Sequence, residues 1–386
     1  MKTEAVTPAS GIHVAIVVNS YPPRLGGLES HVFQLATALA VAGTHVTVVT
    51  LAPRESDTHE DGIRVIRLRM HWPIASVISF PGWGSGRRLA RMLADEGVTV
   101  VSTHTRFFPM SWVGLRIARR NHIPVIHTEH GAGYVRSPSR LIQIASRSID
   151  WTFGRAVLRG ATRVLAVSEP VGTFVSTLAG VPSSVFYNAL RLEDWPRGET
   201  GGRPAGIAFL GRLVGGKGWE IFIDVAAELI LNRGFEDLAV HILGDGPDQD
   251  AVRARILSRG IERSVRLHGH AGVETIRTVL SDSVLVNPSQ LAEGFQITLL
   301  EAAAAGAQIV SYPVPSTLPL LADGAPVRVV TATSLESLTD AVVDALQNPL
   351  PGMKRGVLEA HWSWRARAAE YLEVIDSLET RPRSSP

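Results

Sequence analysis

Short apolar runs alternate with stretches of helical spacing along nearly the whole chain, and few folds accept that pattern. The run IHVAIVV at 12–18 has the length and composition of a buried strand. After the loop NSYPPRLGG, Leu28, Val32, Leu35 and Leu39 recur at intervals of three and four, which marks one face of a helix. Further strands are expected at HVTVVT, VTVVS, PVIHT, RVLAVS and SVFYN. Near-continuous apolar strands separated by helices indicate a parallel, doubly wound α/β sheet covered on both faces.

The polar, glycine-rich segment RGETGGRPAG at 197–206 interrupts the pattern and has the composition of a linker. The alternation then restarts. Strands are expected at GIAFLG, LAVHILG, VRLHG, SVLVNP and QIVSYP, with helices over 218–232 and 249–259. A chain of 386 residues suits two such domains. The expected division is 1–196 and 197–362, followed by a last helix over 364–379 that has no strand after it.

Composition narrows the function. The formal net charge of +2 gives no case for nucleic acid as a partner. With no cysteine, disulfides, thiolate metal sites and a cysteine nucleophile are excluded. The opening MKTEAVTPAS carries an acid and lacks an apolar core, unlike a secretory signal. No apolar run approaches the ~20 residues of a membrane span. The expected location is the cytoplasm, with peripheral contact at the inner face of the membrane as an extension.

Ligands of doubly wound sheets bind beyond the carboxyl ends of the strands, and the chemically suggestive residues fall there. Gly26-Gly27-Leu28-Glu29 follows the first strand and opens a helix. Such a loop lets backbone amides approach a phosphate at a helix N-terminus, or is simply flexible with Glu29 as a first-turn charge. In FLGRLVGGKG, Arg212 ends a strand and Lys217 precedes a helix. Two cations at a helix start suit a pyrophosphate; the alternative is two solvated surface charges. Only three of the 38 basic residues are lysines, which sets Lys217 apart.

In NPSQLAEGFQITLLEAAAAG, Glu293 occupies a loop, Gly294 is expected to open a helix, and Glu301 follows near two turns later, roughly 10 Å along the axis. One carboxylate could reach a sugar and the other a ribose, with the amides between them facing phosphates. His127, Glu129 and His130 cluster in PVIHTEHG, and His104 ends another strand. Histidine can donate a proton or bind an anion. Their spacing is irregular and sheet alternation turns neighbours to opposite faces, so no metal site is expected. GDGPDQD at 244–250 has the residues of a turn followed by helix capping.

Together these segments resemble the large retaining, family-four group of GT-B glycosyltransferases. The resemblance runs in order through GGLE, VIHTEHG, LAVSE, VFYNAL, FLGRLVGGKG, HILGDGP, NPSQLAEGFQITLLEAAAAG and the terminal WSW with its helix, covering nearly the whole chain. It implies two Rossmann-like domains, the acceptor held mainly by the first and a nucleotide-sugar donor, a UDP- or GDP-sugar, mainly by the second. The helix 364–379 would complete the first domain. By the same resemblance Arg212 and Lys217 neutralise the donor diphosphate, Glu301 takes the ribose hydroxyls, and Glu293 contacts the transferred sugar with the amides of Gly294 and Phe295 nearby. Gly27 would approach the phosphates, His130 the sugar and the forming bond, and the backbone around His268 to His270 the base. The catalytic set is then His130, Arg212, Lys217 and Glu293. No cofactor and no metal is implied, and the product would be α-linked. Gln296, Ile297 and Gln308 depart from the commonest pattern, and Gly215 and Gly216 soften the Arg-Lys loop.

Two other functions share the fold. A sugar-nucleotide 2-epimerase would release no nucleoside diphosphate, and a non-catalytic nucleotide-sugar-binding subunit should have lost Arg212, Lys217, Glu293 or Glu301. The acceptor is expected to be a glycan, a lipid-linked sugar or a small molecule. Between Arg136 and Arg163 lie six arginines and one acid, Asp150, interleaved with LIQIAS and IDWTF. That pattern suits an anionic lipid surface or a solvated helix.

Overall fold

The computed structural model describes residues 11–24, 26–74, 78–135, 139–195 and 203–379. They fall into two compact units, one running to Asn188 and resuming at Trp364, the other spanning Ala189–Ser363. Residues 197–202 of the expected linker lie outside the described residues.

The first unit contains β1 (His13–Val17), β2 (His45–Ala52), β3 (Ser56–Glu60), β4 (Ile63–Ile74), β5 (Ile78–Pro81), β6 (Val100–His104), β7 (Val125–Glu129), β8 (Arg163–Ala166) and β9 (Ser184–Val185). The sheet order is β3-β4-β2-β1-β6-β7-β8-β9, with β5 paired to β4. Pairing is parallel from β4 through β9, and β1, β6 and β7 are buried along their whole length. The helix Gly27–Val41 buries Val32, Leu35 and Leu39, three of the four apolar positions expected on its inner face. Gly114 in the helix Pro109–Arg120 packs so closely on the sheet that a Cβ there would sit 2.7 Å from Thr103 Cγ2.

Two departures from the expected parallel sheet occur at its edge. β3 and β5 both run antiparallel to β4, and none of the three was anticipated. β3 is polar and mostly exposed, so it carries no apolar alternation. A signal was present nonetheless: Asp61-Gly62 forms the two-residue turn between β3 and β4, with φ of 51° and 80°, the positive angles that a tight hairpin turn demands. The expected strand SVFYN shortens to the two residues of β9.

The second unit contains β10 (Gly206–Leu210), β11 (Ala239–Leu243), β12 (Val265–Gly269), β13 (Ser283–Asn287), β14 (Gln308–Ser311) and β15 (Val327–Val329). Its order is β12-β11-β10-β13-β14-β15, all parallel. Numbered from the first strand of the unit, this is 3-2-1-4-5-6, the Rossmann order, whose switch point lies between β10 and β13. β15 spans three residues, too few to show a period in sequence. The helix Trp219–Asn232 packs Phe222, Ile223, Val225 and Leu229 into the core of this unit.

The last helix, Trp364–Glu379, belongs to the first unit. Tyr371 is fully buried there; its hydroxyl donates to Ser102 Oγ at 2.8 Å and its ring meets Phe186 at 5.7 Å. Burying an aromatic of this size is worth about 1.5–3 kcal/mol.

Candidate functional site

In the second unit Arg212, Lys217 and Glu293 follow β10 and β13, the strands that flank the switch point. Arg212 follows β10 and is exposed, Asn287 ends β13, and the loop 211–218 lies between them and the helix Trp219–Asn232. Glycines make that loop's course possible. Gly218 has φ +87°, and a Cβ there would lie 2.4 Å from the Pro288 carbonyl oxygen. Gly244, after β11, passes so near Gly211 that a Cβ would lie 1.9 Å from its carbonyl oxygen. The Gly216 carbonyl accepts from the Gln290 amide at 2.9 Å, tying the Arg-Lys loop to the loop after β13.

This closure brings Lys217 to Glu293. Their Nζ and Oε1 atoms are 2.6 Å apart, and both side chains keep part of their surface in water. Gly294 and Phe295 are buried, with the Phe295 ring 5.9 Å from that of Trp362. The helix does not begin at Gly294 as expected. It runs Ile297–Ala305, with Gln296 as its cap residue in extended conformation. Gln296 Oε1 accepts from Asn287 Nδ2 at 2.8 Å, and the same amide donates to Ser311 Oγ at 2.9 Å. That bond gives the unusual Gln296 a structural role: it anchors the Glu293 loop to the ends of β13 and β14. Gln308, the other departure, clamps the Leu350 backbone from both sides and accepts from Arg328. Both substitutions therefore act on scaffold.

Glu301 lies in the second turn of its helix. Burial alone pushes its carboxyl up to about 7, and no ion pair or hydrogen bond to it is present among the described residues. A desolvated carboxyl without a partner is costly unless a ligand satisfies it. His270 is exposed directly beyond the end of β12. In GDGPDQD the expected side-chain cap is absent: Asp248 instead accepts from the Trp219 indole at 3.1 Å, joining two helix starts.

In the first unit Gly27 is exposed and begins the helix Gly27–Val41, whose first-turn amides have no intrahelical acceptor. Glu29 turns back to accept from Ser20 Oγ at 2.6 Å and pairs with Arg24 at 3.4 Å. It braces the loop and is buried. Of the cluster in PVIHTEHG, Glu129 proves to be an architectural acid. Arg106, 1% exposed, reaches it through its backbone amide at 3.0 Å and Nη1 at 2.9 Å, and grips Asp150 with Nε and Nη2, each at 2.9 Å. The guanidinium also stacks on Phe174 at 4.6 Å. Although burial alone would raise it, the Arg106 charge and its other hydrogen bonds hold Glu129 down to about 2, whereas burial raises Asp150. Sequence reasoning missed Arg106; its place just past the end of β6, and the lone acid within a basic stretch, were the available signals.

The histidines that converge are not the ones adjacent in sequence. His104 ends β6 and His130 follows β7, and these neighbouring strands bring His104 Nδ1 within 3.2 Å of His130 Nε2. His31, from the helix Gly27–Val41, faces both rings at 5.5 and 4.7 Å. His127 is turned away, toward Thr103 and Glu129. Burial depresses all three converging imidazoles, His31 to about 4, so they are neutral near pH 7.

Comparison with known proteins now bears on the geometry. Residues 25–194 match the family model described as Glycosyltransferase Family 4, and residues 204–348 the one described as Glycosyl transferases group 1. The chain is 22% identical over 394 residues to an uncharacterized glycosyltransferase of Methanocaldococcus jannaschii, covering 95% of this chain and 99% of that protein. It is 25% identical over 400 residues to the GDP-mannose-dependent alpha-(1-6)-phosphatidylinositol monomannoside mannosyltransferase of Mycolicibacterium smegmatis, covering 93% and 97%. Among solved structures, sucrose-phosphate synthase of Thermosynechococcus elongatus superposes with a TM-score of 0.74 at 17% identity, over 95% of this chain and 99% of that one. Anabaena HepE in complex with UDP gives 0.73 at 14%, over 95% and 100%.

Proposed function

Because the chain belongs to the GT4-type, GT-B family of glycosyltransferases, we propose that it transfers a sugar from a UDP- or GDP-sugar to a glycan, lipid-linked or small-molecule acceptor with retention of the α configuration. The observation that carries this reading is the Lys217–Glu293 pair at the β10/β13 switch point. A partly solvated ion pair is worth at most about 1 kcal/mol, so exchanging Glu293 for a diphosphate costs little. Lys217 then meets the phosphate and Glu293 is released toward the sugar.

Arg212 and Lys217 neutralise the charge that grows on the leaving phosphate, together with amides before the helix Ile297–Ala305. In the proposed reaction the bond from the anomeric carbon to the phosphate oxygen breaks. The acceptor oxygen bonds that carbon on the same face, and its proton passes to the departing phosphate. The diphosphate charge is met by these cations without a metal. Glu301 accepts from the ribose hydroxyls, which satisfies its unpartnered carboxyl; His270 marks the base, and Gly27 offers its backbone amide to a phosphate. His130 offers a neutral imidazole to a sugar hydroxyl. HepE was solved with UDP and the mycolicibacterial relative is named for GDP-mannose, so both bases remain in the proposal.

The test is nucleoside diphosphate release from a panel of UDP- and GDP-sugars. Arg212→Ala and Lys217→Ala are each expected to lower kcat by about 10²–10³-fold. Unchanged turnover in both variants would overturn the assignment, and conversion without diphosphate release would point to an epimerase.

A lipid-linked acceptor is favoured by one further observation. The helix Arg140–Ile149 buries none of its side chains; Leu141 is 80% and Ile144 63% exposed, beside Arg140 and Arg147. Trp151 and Phe153 continue the exposed apolar surface, while buried Asp150 pins the segment through Arg106. Arg136, part of the expected basic stretch, lies outside the described residues. No helix among the described residues is long and apolar enough to cross a membrane, so contact would be peripheral, apolar side chains inserting and arginines meeting anionic headgroups. Flotation with anionic vesicles is the check. Ile144→Asp should reduce it, and indifference to anionic lipid would sink the idea.

A further inference from the structure

We propose that His31 Nε2, His104 Nδ1 and His130 Nε2 form a binding site for a divalent transition-metal ion of the zinc class, open at its fourth position. The site lies wholly within the first unit and does not depend on the donor assignment.

Each of the three histidines offers one ring nitrogen, and these lie within 4.8 Å of one another. Two imidazole nitrogens bound to one tetrahedral zinc, at 2.0–2.1 Å each, stand about 3.3 Å apart. His104 Nδ1 and His130 Nε2 are 3.2 Å apart. Bringing the His31 nitrogen to the same separation needs a shift of at most about 1.5 Å.

The state of His31 points the same way. Its Nδ1–H donates to Asn188 Oδ1 at 2.7 Å, because a carboxamide oxygen can only accept. The lone pair is therefore on Nε2, and that nitrogen is buried with no hydrogen-bond partner among the described residues. A buried orphan acceptor is expensive, and a cation satisfies it. Asn188 supplies the outer support that metal-binding histidines regularly have. His104 has an equivalent: its Nε2 lies 3.2 Å from Ser102 Oγ, which also receives the Tyr371 hydroxyl. A hydroxyl oxygen has two lone pairs, so it can take a proton from each, leaving His104 Nδ1 free to bind.

Imidazole donors select zinc, copper, nickel or cobalt over magnesium and calcium. Trp364 and Phe186 wall the His31 side at 5.0 and 6.2 Å, while half-buried His130 leaves an approach. An ion on Nε2 would leave the Nδ1–H of His130 for a sugar hydroxyl and fix the ring that offers it. The ion would organise histidines, with the diphosphate still met by Arg212 and Lys217.

The experiment titrates the full chain, stripped with a chelator, with Co²⁺. We expect one equivalent to bind with the visible ligand-field band of a tetrahedral site, zinc to displace it, and zinc to raise Tm in proportion to the logarithm of its concentration. His31→Gln, which keeps bulk and polarity, should abolish the band with the fold intact by circular dichroism. Asn188→Ala should weaken affinity about 10–100-fold. His268→Ala, which breaks the separate His241–His268 pair of the second unit, should leave the band unchanged. Absence of a stoichiometric band in the wild-type chain, an unaltered band in His31→Gln, or loss of the band in His268→Ala would each overturn the site, leaving a hydrogen bond between His104 and His130 in its place.

Discussion

Replacing Arg106 by Met should destabilise the first unit by about 3–5 kcal/mol, because the change leaves two carboxylates buried without their cation. The size can be reached from the other partner. Glu129 is held at about 2 against an ordinary 4.5, a difference of 2.5 units, and at 1.36 kcal/mol per unit that is about 3 kcal/mol. A depressed carboxyl contributes stability above its unfolded pKa, and that share fades as pH falls from about 4.5 through about 2. Wild-type stability from this group should thus be flat between about pH 5 and pH 8. In Arg106→Met the sign reverses. Without the guanidinium, desolvation dominates and Glu129 is raised, as Asp150 already is. The variant should then gain stability as pH falls from about 7 to about 5, since protonation removes the buried charge. Urea unfolding across that range gives the slope, with hydrogen exchange of the β7 amides reporting the first unit alone. The triple change Arg106→Met, Glu129→Gln, Asp150→Asn should recover most of the loss. A loss under about 1 kcal/mol, or parallel pH profiles for the two proteins, would refute the argument.

Glu301→Gln should raise KM for the donor by roughly 10–100-fold, the loss of a charged hydrogen bond worth about 1.5–3 kcal/mol. It should also remove a rise in donor affinity as pH passes about 7; a wild-type profile without that rise counts against the ribose role. The same variant should be the more stable protein at pH 7 and above, because a carboxyl raised from 4.5 to about 7 costs stability progressively as pH rises between those values, and thermal unfolding at pH 4 and pH 8 checks it. Gly218→Ala should destabilise the second unit by about 1–3 kcal/mol and weaken diphosphate binding, as its Cβ would fall 2.4 Å from the Pro288 carbonyl at φ +87°. Calorimetry and a nucleoside diphosphate titration give the two numbers.

The parallel strands were legible in sequence because burial on both faces makes them apolar throughout, as in HVAIV of β1 and SVLVN of β13. The β3–β4–β5 edge was not, since its outer strands meet water or are short, and only Asp61-Gly62 betrayed the turn. At the candidate site, Arg212, Lys217 and Glu293 stood out because they follow strand ends, where ligands of doubly wound sheets bind. What sequence could not give was pairing across distance. Arg106 and Asp150 are 44 positions apart, and His31 and Asn188 are 157 apart. Nothing local to either partner records the contact, so Glu129 looked like chemistry and is structure, and a histidine on an apolar helix went unnoticed. The start of the helix at Ile297 was misplaced because Gln296, tethered to Asn287, holds extended backbone that a glycine-led helical run does not suggest.

The return of Trp364–Glu379 to the first unit makes synthesis and folding run out of step. On the ribosome the second unit, contiguous from Ala189 to Ser363, can close while the first still lacks the helix that covers Phe186 and supplies Tyr371 to Ser102. The first-made part of the protein is thus the last to be finished, and its open face is a natural point for chaperone capture or early proteolysis. The later unit is also a cassette. Its ends are stitched together by the Leu190–Ser363 bridge and the bond from the Leu190 amide to the Trp362 carbonyl at 2.9 Å. Neighbouring ends are what domain exchange requires, so this cassette could be exchanged between relatives while the first-made unit is kept whole, and under the proposed function donor preference should travel with it.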